Sequence, residues 1–158
     1  MVELVKEPTE TARALLNQHA HGVVVRLQLC VQARGPMEQV SVAHASENYG
    51  LEGDRHAMPD SARQVLLFEQ ETCAEYDFPL GALRENITTR GIALMSLPQG
   101  TRLHIGGAIL ELTKQCEPCA FVDEIRAGLR AELKYKRGML ARVIQGGEIK
   151  VGDAIRAE

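Results

Sequence analysis

Apolar and polar positions follow one another in short runs along most of the chain, in a pattern that is typical of β-strands. The runs are rich in β-branched residues and are separated by glycine and other turn-forming residues. Gly106 and Gly107 join two such runs into a clear hairpin, because glycine tolerates the positive φ of a tight turn. The predicted strands cover residues 22–31, 36–44, 63–68 and 83–89, the hairpin 101–113, and two or three strands in 137–158 that turn at 146–147 and 151–153.

Three segments instead show helical spacing of their apolar residues, namely 9–20, 69–76 and 120–134. The first would be capped by Thr9 or Thr11, and its proposed apolar face consists of Ala12, Leu15, Leu16 and His19. The third repeats Val122, Ile125, Leu129 and Leu133. Because helices are few and regular strand–helix alternation is missing, the pattern predicts a mainly β, mainly antiparallel, barrel-like domain with a few short helices.

Length and charge narrow the function classes. A chain of 158 residues favours one domain with a core of its own. Its 18 basic and 21 acidic residues give a net charge of −3 without a long basic run, which disfavours nucleic acid and anionic membranes as partners. No apolar stretch is long enough to span a bilayer, and the first twenty residues lack the pattern of a secretory signal. We therefore expect a cytoplasmic protein whose four cysteines are mostly reduced.

Two cysteines lie three positions apart in "TKQCEPCAFVDEIRAGL", residues 113–129. Cys116 and Cys119 have the spacing of a thioredoxin-like dithiol pair, and the proline between them also suits that motif. A thioredoxin-like chain, however, would continue with parallel-sheet alternation, whereas this chain ends in glycine-turned hairpins. The dithiol interpretation therefore fits the predicted fold poorly.

Metal or sulfur chemistry gives two other interpretations of the pair. A structural zinc needs four ligands, and without a second CxxC or HxxxH pair it would have to recruit Cys30 or Cys73 with His104. Alternatively, Cys119 is a single working thiolate at the N-terminus of the predicted helix, where the helix dipole favours an anion. A soft thiolate suits a thiophilic metal or a transferable sulfur atom. Spacing alone does not distinguish these interpretations from two cysteines that pack as small apolar side chains.

Several segments resemble the MOSC domain, a family named after the C-terminal part of molybdenum-cofactor sulfurases. The resemblance rests on the order of "GLEGDRHA", "RENIT", "EPC" and a terminal G-x-I-x-x-GD-x-I pattern. It covers residues 22–158 and leaves residues 1–21 as an N-terminal extension with a possible short helix. The resemblance implies a MOSC-type β-barrel, in agreement with the strand pattern.

The resemblance also implies a molybdenum-cofactor site. Cys119 matches the family cysteine of the "PC" dipeptide, which ligates molybdenum in molybdenum-containing relatives, and Cys116 would be a bystander or a resolving thiol. The pterin and its phosphate need cationic groups and hydrogen-bond donors. Arg84 and Asn86 match an Arg-x-Asn of the amidoxime-reducing members. Because alternate residues of a strand point the same way, these two residues and Thr88 would share one face. Glu85 would point to the opposite face. The proposed cofactor-binding residues are Asp54, Arg55, His56, Arg84, Asn86, Thr88, Thr113 and Lys114.

By the same resemblance, the protein would be a molybdenum-dependent oxidoreductase that reduces a small N-hydroxylated substrate. Its electrons would come from a separate protein, because no flavin or iron–sulfur motif is present. The alternative is a sulfur carrier that holds a persulfide on Cys119 for a donor or acceptor enzyme. A binding module without a cofactor is a third possibility. No pyridoxal phosphate is expected, because a chain of this length cannot hold a pyridoxal-phosphate-binding fold in addition to the MOSC-like domain.

Overall fold

The computed structural model of the protein describes residues 9–11 and 20–158. The apolar residues of the helix predicted at 9–20 therefore lie outside the described residues. The strands are β1 (His21–Leu29), β2 (Glu38–Val40), β3 (Val42–Ser46), β4 (Gly50–Leu51), β5 (Val65–Glu69), β6 (Ile87–Arg90), β7 (Arg102–Ile105), β8 (Ala108–Gln115), β9 (Met139–Gln145), β10 (Gly147–Lys150) and β11 (Ala154–Ala157). The short helices are α1 (Gln70–Glu75), a 3-10 turn (Leu94–Ser96), α2 (Ala120–Ile125) and α3 (Leu129–Glu132).

Seven of the strands form a closed barrel in the order β11-β7-β8-β9-β5-β6-β1, and β1 pairs with β11 to complete the ring. The pairs are antiparallel except for β5 with β6, which run parallel. Strand β2 extends the sheet beside β1, and a separate three-stranded sheet has the order β10-β3-β4. The predicted mainly β barrel with a few short helices is thus confirmed.

The barrel interior is the main hydrophobic core. In β8 the side chains of Ala108, Leu110 and Leu112 are buried while their neighbours are partly exposed, as the two-residue period of a strand requires. The hairpin of β7 and β8 is also as predicted: Ile105 is paired with Ala108, and Gly106 in the turn has a φ of 56°. No helix in the described ranges, 9–11 and 20–158, is long and apolar enough to cross a membrane.

A second, smaller core packs the helices against the outside of the barrel. Its buried members are Phe68, Cys73, Phe78, Leu83, Val122, Leu129 and Leu133. The helix predicted at 120–134 contributes to it, but the prediction of one continuous helix is wrong. Arg126 has extended backbone angles and Gly128 has a φ of 86°, so the segment forms two short helices that still bury the predicted apolar face.

The strand predicted at 83–89 begins only at Ile87. Arg84 has a φ of 62°, in the left-handed region, so the alternation of side chains assumed for that segment does not extend back to Arg84. The predicted strand at 36–44 is likewise divided into β2 and β3. The helix at 69–76 and the three closing strands are as predicted.

Candidate functional site

A cleft of about 220 Å³ lies beside Cys119, where the start of α2 meets the ends of β5 and β9. We call it the Cys119 cleft. Its polar lining consists of His56, Arg63, Arg84, Asn86, Cys116, Glu117, Cys119 and Arg137, so three arginines face a single carboxylate. The structure therefore brings four of the proposed site residues together, namely Cys119, His56, Arg84 and Asn86.

Cys119 is the accessible thiol of the pair. It is exposed, unpaired and directly precedes α2, and its side chain makes no capping hydrogen bond to the helix. Cys116 is buried, and its backbone N–H donates to the carbonyl oxygen of Gly138 at 2.9 Å. Cys116 thus belongs to the wall of the cleft, and Cys119 is the sulfur that a ligand can reach. The helix after Cys119 has only six residues, so its dipole is weaker than that of the longer helix predicted.

The loop 50–57 is organised around Asp54, which is buried beneath the cleft. Its Oδ2 atom accepts hydrogen bonds from the backbone N–H of Cys30 at 2.7 Å and the amide of Asn86 at 2.8 Å. Its Oδ1 atom accepts the backbone N–H of His56 at 2.8 Å and lies 3.2 Å from His56 Nδ1. Burial opposes ionisation, but these hydrogen bonds, led by that with the His56 ring, hold the pKa of Asp54 below its ordinary value. Asp54 therefore positions the cleft residues rather than lining the cleft itself.

Arg84 and Asn86 are both held in place by the protein. The Arg84 guanidinium donates to the carbonyl oxygen of Gly35 at 2.8 Å and contacts the sulfur of Cys30 at 3.2 Å. The Asn86 amide nitrogen donates to Gln28 and Asp54, while its oxygen accepts the backbone N–H of Leu66 at 3.0 Å. The amide hydrogens of Asn86 are thus already engaged, whereas Arg84 keeps further N–H groups for a ligand.

The other proposed site residues lie elsewhere. Thr88 is fully buried and donates to Glu85 Oε1, so the two residues share one hydrogen-bond network instead of facing opposite ways. The positive φ at Arg84 explains this difference from the predicted alternation. The Arg55 side chain is exposed outside the Cys119 cleft, and Thr113 and Lys114 line a separate cavity beside Arg142.

Arg63 and Arg137 belong to the cleft but were not singled out from the sequence. Arg137 is only 5% exposed; its Nη2 donates to the carbonyl oxygen of Leu83 at 2.8 Å, and its Nε and Nη1 have no hydrogen-bond partner among the described residues. Each arginine stands two residues before a buried strand, where a charge usually marks a solvated strand end. The sequence held one signal for Arg137: it lies next to Gly138, just before an apolar strand.

This donor set fits an anionic ligand with a thiophilic centre. Arginine is the side chain best suited to bidentate recognition of phosphate. Arg137 is close enough to the buried Glu85 carboxylate to interact with its charge, but its Nε and Nη1 atoms keep N–H groups that no described residue accepts. An exposed thiol at the same cleft is a ligand for soft metals. These residues therefore fit the phosphate and the metal of a molybdenum cofactor. The volume is below the roughly 300–1,000 Å³ typical of organic-ligand pockets, so the cleft would enclose only part of the pterin.

The four cysteines are not gathered around one metal. Cys30 contacts Arg84, and Cys73 lies in the helical core, where burial raises the pKa of its thiol to about 12. His104 is instead paired with Glu158, with 2.5 Å between Nε2 and Oε2. Within residues 9–11 and 20–158, no three His, Cys, Asp or Glu side chains are grouped to hold a metal ion.

Comparison with known proteins agrees with this fold. The YuaD protein of Bacillus subtilis is similar in structure with a TM-score of 0.74 at 19% identity, over 87% of this chain and 95% of that one. YiiM of Escherichia coli gives a TM-score of 0.63 at 19% identity, over 88% and 68% of the two chains, and YiiM of Geobacillus stearothermophilus gives 0.64 at 16%, over 90% and 74%. Curated protein sequences give no significant match. The sequence profile of the MOSC domain matches residues 52–156, and the protein therefore belongs to the MOSC domain family, which is associated with the molybdenum cofactor.

Proposed function

We propose that the protein binds the molybdenum cofactor in the Cys119 cleft and works as a reductase component for small N-hydroxylated compounds. The observation that carries the proposal is the exposed Cys119 thiol beside three arginines, one of them buried with unused hydrogen-bond donors. Cys119 would be the protein ligand to molybdenum. The MOSC domain would span residues 22–158, since β1 closes the barrel, with residues 1–21 as an extension.

The residues of the cleft would have different roles in binding the cofactor. Arg84 and Arg137 would hold the phosphate, because both guanidiniums line the cleft, are anchored to backbone carbonyls and keep N–H groups that those carbonyls do not use. Asn86 and Asp54 would fix the geometry of the wall, and His56, whose ring is largely exposed, would donate at the rim.

The cofactor, when bound, would supply the two-electron chemistry that converts an N–OH group to N–H. The overall reaction consumes two electrons and two protons and releases water. The electrons would come from a separate donor protein, and we place the reaction in the cytoplasm. The chain itself contributes the sulfur ligand, the anion site and the apolar wall formed by Leu66, Phe121 and Leu140.

A second candidate function is favoured by the exposure of Cys119 alone. A thiol that reaches the surface can carry a persulfide to a partner enzyme, which an inaccessible thiol such as Cys116 cannot do directly. This candidate leaves the buried Arg137 without a ligand, and for that reason we rank it second.

The two candidates are separated by analysing the protein from cells that make the cofactor. We expect near-stoichiometric molybdenum and oxidised-pterin fluorescence in the wild type, with molybdenum lost in Cys119→Ser and retained in the matched variant Cys116→Ser. Cyanide-labile sulfur on Cys119 without molybdenum or pterin would replace the first proposal with the second. Equal molybdenum in the wild type and Cys119→Ser would contradict the role of Cys119 as the metal ligand.

A further inference from the structure

A larger groove of about 760 Å³ adjoins the Cys119 cleft, and Cys116 and Glu117 line both. It lies between the end of β8 and the segment that carries α2 and α3. We call it the Tyr135 groove. Its volume is within the range of pockets that bind small organic molecules. The side chains that matter for recognition are Lys114, Glu117, Asp123, Arg130, Lys134 and Tyr135.

Tyr135 has an unusual conformation at the rim of this groove. The residue is 70% exposed, and its φ is 67°, in the left-handed region that bulky residues rarely adopt. The residues just before it, Leu129 and Leu133, are fully buried in the helical core. The chain therefore turns just after the last residue of the helical core, Leu133, and leaves a large aromatic ring at the surface, where it is available as a stacking platform.

The charges around the ring favour an anion. The Lys134 ammonium lies 5.2 Å from the centre of the Tyr135 ring, so an aromatic surface and a positive charge are side by side. Lys114 and Arg130 add two further cations to the lining, against two carboxylates. One of these carboxylates, Asp123, already accepts the backbone N–H of Arg130 at 2.9 Å.

We propose that the Tyr135 groove binds a planar aromatic or heteroaromatic molecule that carries an anionic group such as a carboxylate. The ring of the ligand stacks on Tyr135, and its anionic group pairs with Lys134. The ligand then borders Cys116 and Glu117, the residues that the groove shares with the Cys119 cleft. The proposal goes beyond the molybdenum function and does not depend on it, because none of these contacts needs a bound cofactor.

The test is a titration with naphthoate, monitored by the amide NMR shifts of the purified protein. Naphthalenemethanol, which keeps the rings without the charge, and cyclohexanecarboxylate, which keeps the charge without the aromatic ring, are the matched ligands. We expect naphthoate to bind most tightly and to shift amides of residues 114–118 and 128–136. Tyr135→Ala should weaken binding about threefold to tenfold, while Tyr135→Phe should retain it. Lys134→Gln should weaken it about twofold to fivefold and remove much of its salt dependence.

Tyr49→Ala serves as the control, because Tyr49 is also exposed but lies outside the groove. Its amide spectrum and that of Tyr135→Ala also show whether each variant is folded. The proposal is overturned if the three ligands bind alike, if the shifts cluster away from the groove, or if folded Tyr135→Ala binds naphthoate as the wild type does. Molybdenum content is measured separately. If naphthoate does not bind in the groove, the cofactor proposal is unaffected, and if the protein holds no molybdenum, the groove proposal is unaffected.

Discussion

Asp54 shows how one buried carboxylate organises the loops around the Cys119 cleft. It connects the end of β1, the loop 50–57 and Asn86 through hydrogen bonds to both of its oxygens. Each of these donors would otherwise be left unpaired in a mostly buried position, which is costly. The residue that the family resemblance suggested as a cofactor contact thus has a structural task that is visible in the protein alone.

We expect Asp54→Asn to destabilise the protein by about 3 kcal/mol at neutral pH, because an NH2 group replaces one of the two oxygens that accept N–H donors and cannot accept from them. Since the folded pKa of Asp54 is lowered, its contribution to stability is complete above the unfolded value near 3.8 and is lost as the pH falls through the folded pKa. Urea unfolding of both proteins between neutral and acidic pH should therefore show the difference shrinking below about pH 4. Exposed Glu47→Gln is the control, and a difference that stays constant with pH would contradict this account.

Residue-scale chemistry was the part of the site that the sequence predicted least completely. Cys119, His56, Arg84 and Asn86 could be assembled from motifs, because the motifs contain them. Arg137 could not, since its burial depends on how β9 packs against Leu83, far away in the chain. The partners that occupy Asn86 are likewise set by tertiary contacts with Gln28 and Leu66.

At the scale of elements, the periodicity of apolar residues was a reliable guide to strands and a poorer one to helix continuity. The spacing from Val122 to Leu133 correctly predicted the buried face, but Gly128 interrupts the helix that carries it. The late start of the strand predicted at 83–89 has a similar cause, a left-handed residue at Arg84. A positive φ at a non-glycine residue is not visible in an apolar pattern.

Gly138 directly precedes β9 and is required there for two reasons. Its φ is 114°, and a Cβ atom would come within 2.5 Å of the Leu67 carbonyl oxygen. We expect Gly138→Ala to lower the free energy of unfolding by about 3 kcal/mol, because both the conformation and the contact must be relieved. Gly100→Ala is the matched control: its φ is 89°, but nothing lies within 4 Å of the added atom, and about 1 kcal/mol is expected. Equal urea midpoints for the two variants would show that the close contact with Leu67 does not matter.

At the scale of the whole molecule, the barrel is closed by elements from opposite ends of the described chain. Val24 and Gly152 anchor one end of the β1–β11 seam by backbone hydrogen bonds, and Ala157 donates to the carbonyl oxygen of Ala20 at the other. Gly22 is opposite Ile155 in this pairing. Because the seam joins the first and last strands, the barrel and the Cys119 cleft on its wall should unfold together as one cooperative unit.

Ile155→Ala tests that cooperativity, because Ile155 is fully buried on the closing strand. The cavity should cost about 3 kcal/mol, while Ile109→Ala, a partly exposed position on β8, should cost about 1 kcal/mol. If closure of the barrel makes unfolding cooperative, far-ultraviolet circular dichroism and tyrosine absorbance will give the same transition in each variant. The midpoint of that transition will lie at a lower urea concentration for Ile155→Ala than for Ile109→Ala. Two separate transitions in Ile155→Ala alone would mean that the seam opens first and that the remaining strands are stable without it. The stability of the cleft would then depend on β5, β9 and the helical core rather than on closure of the barrel.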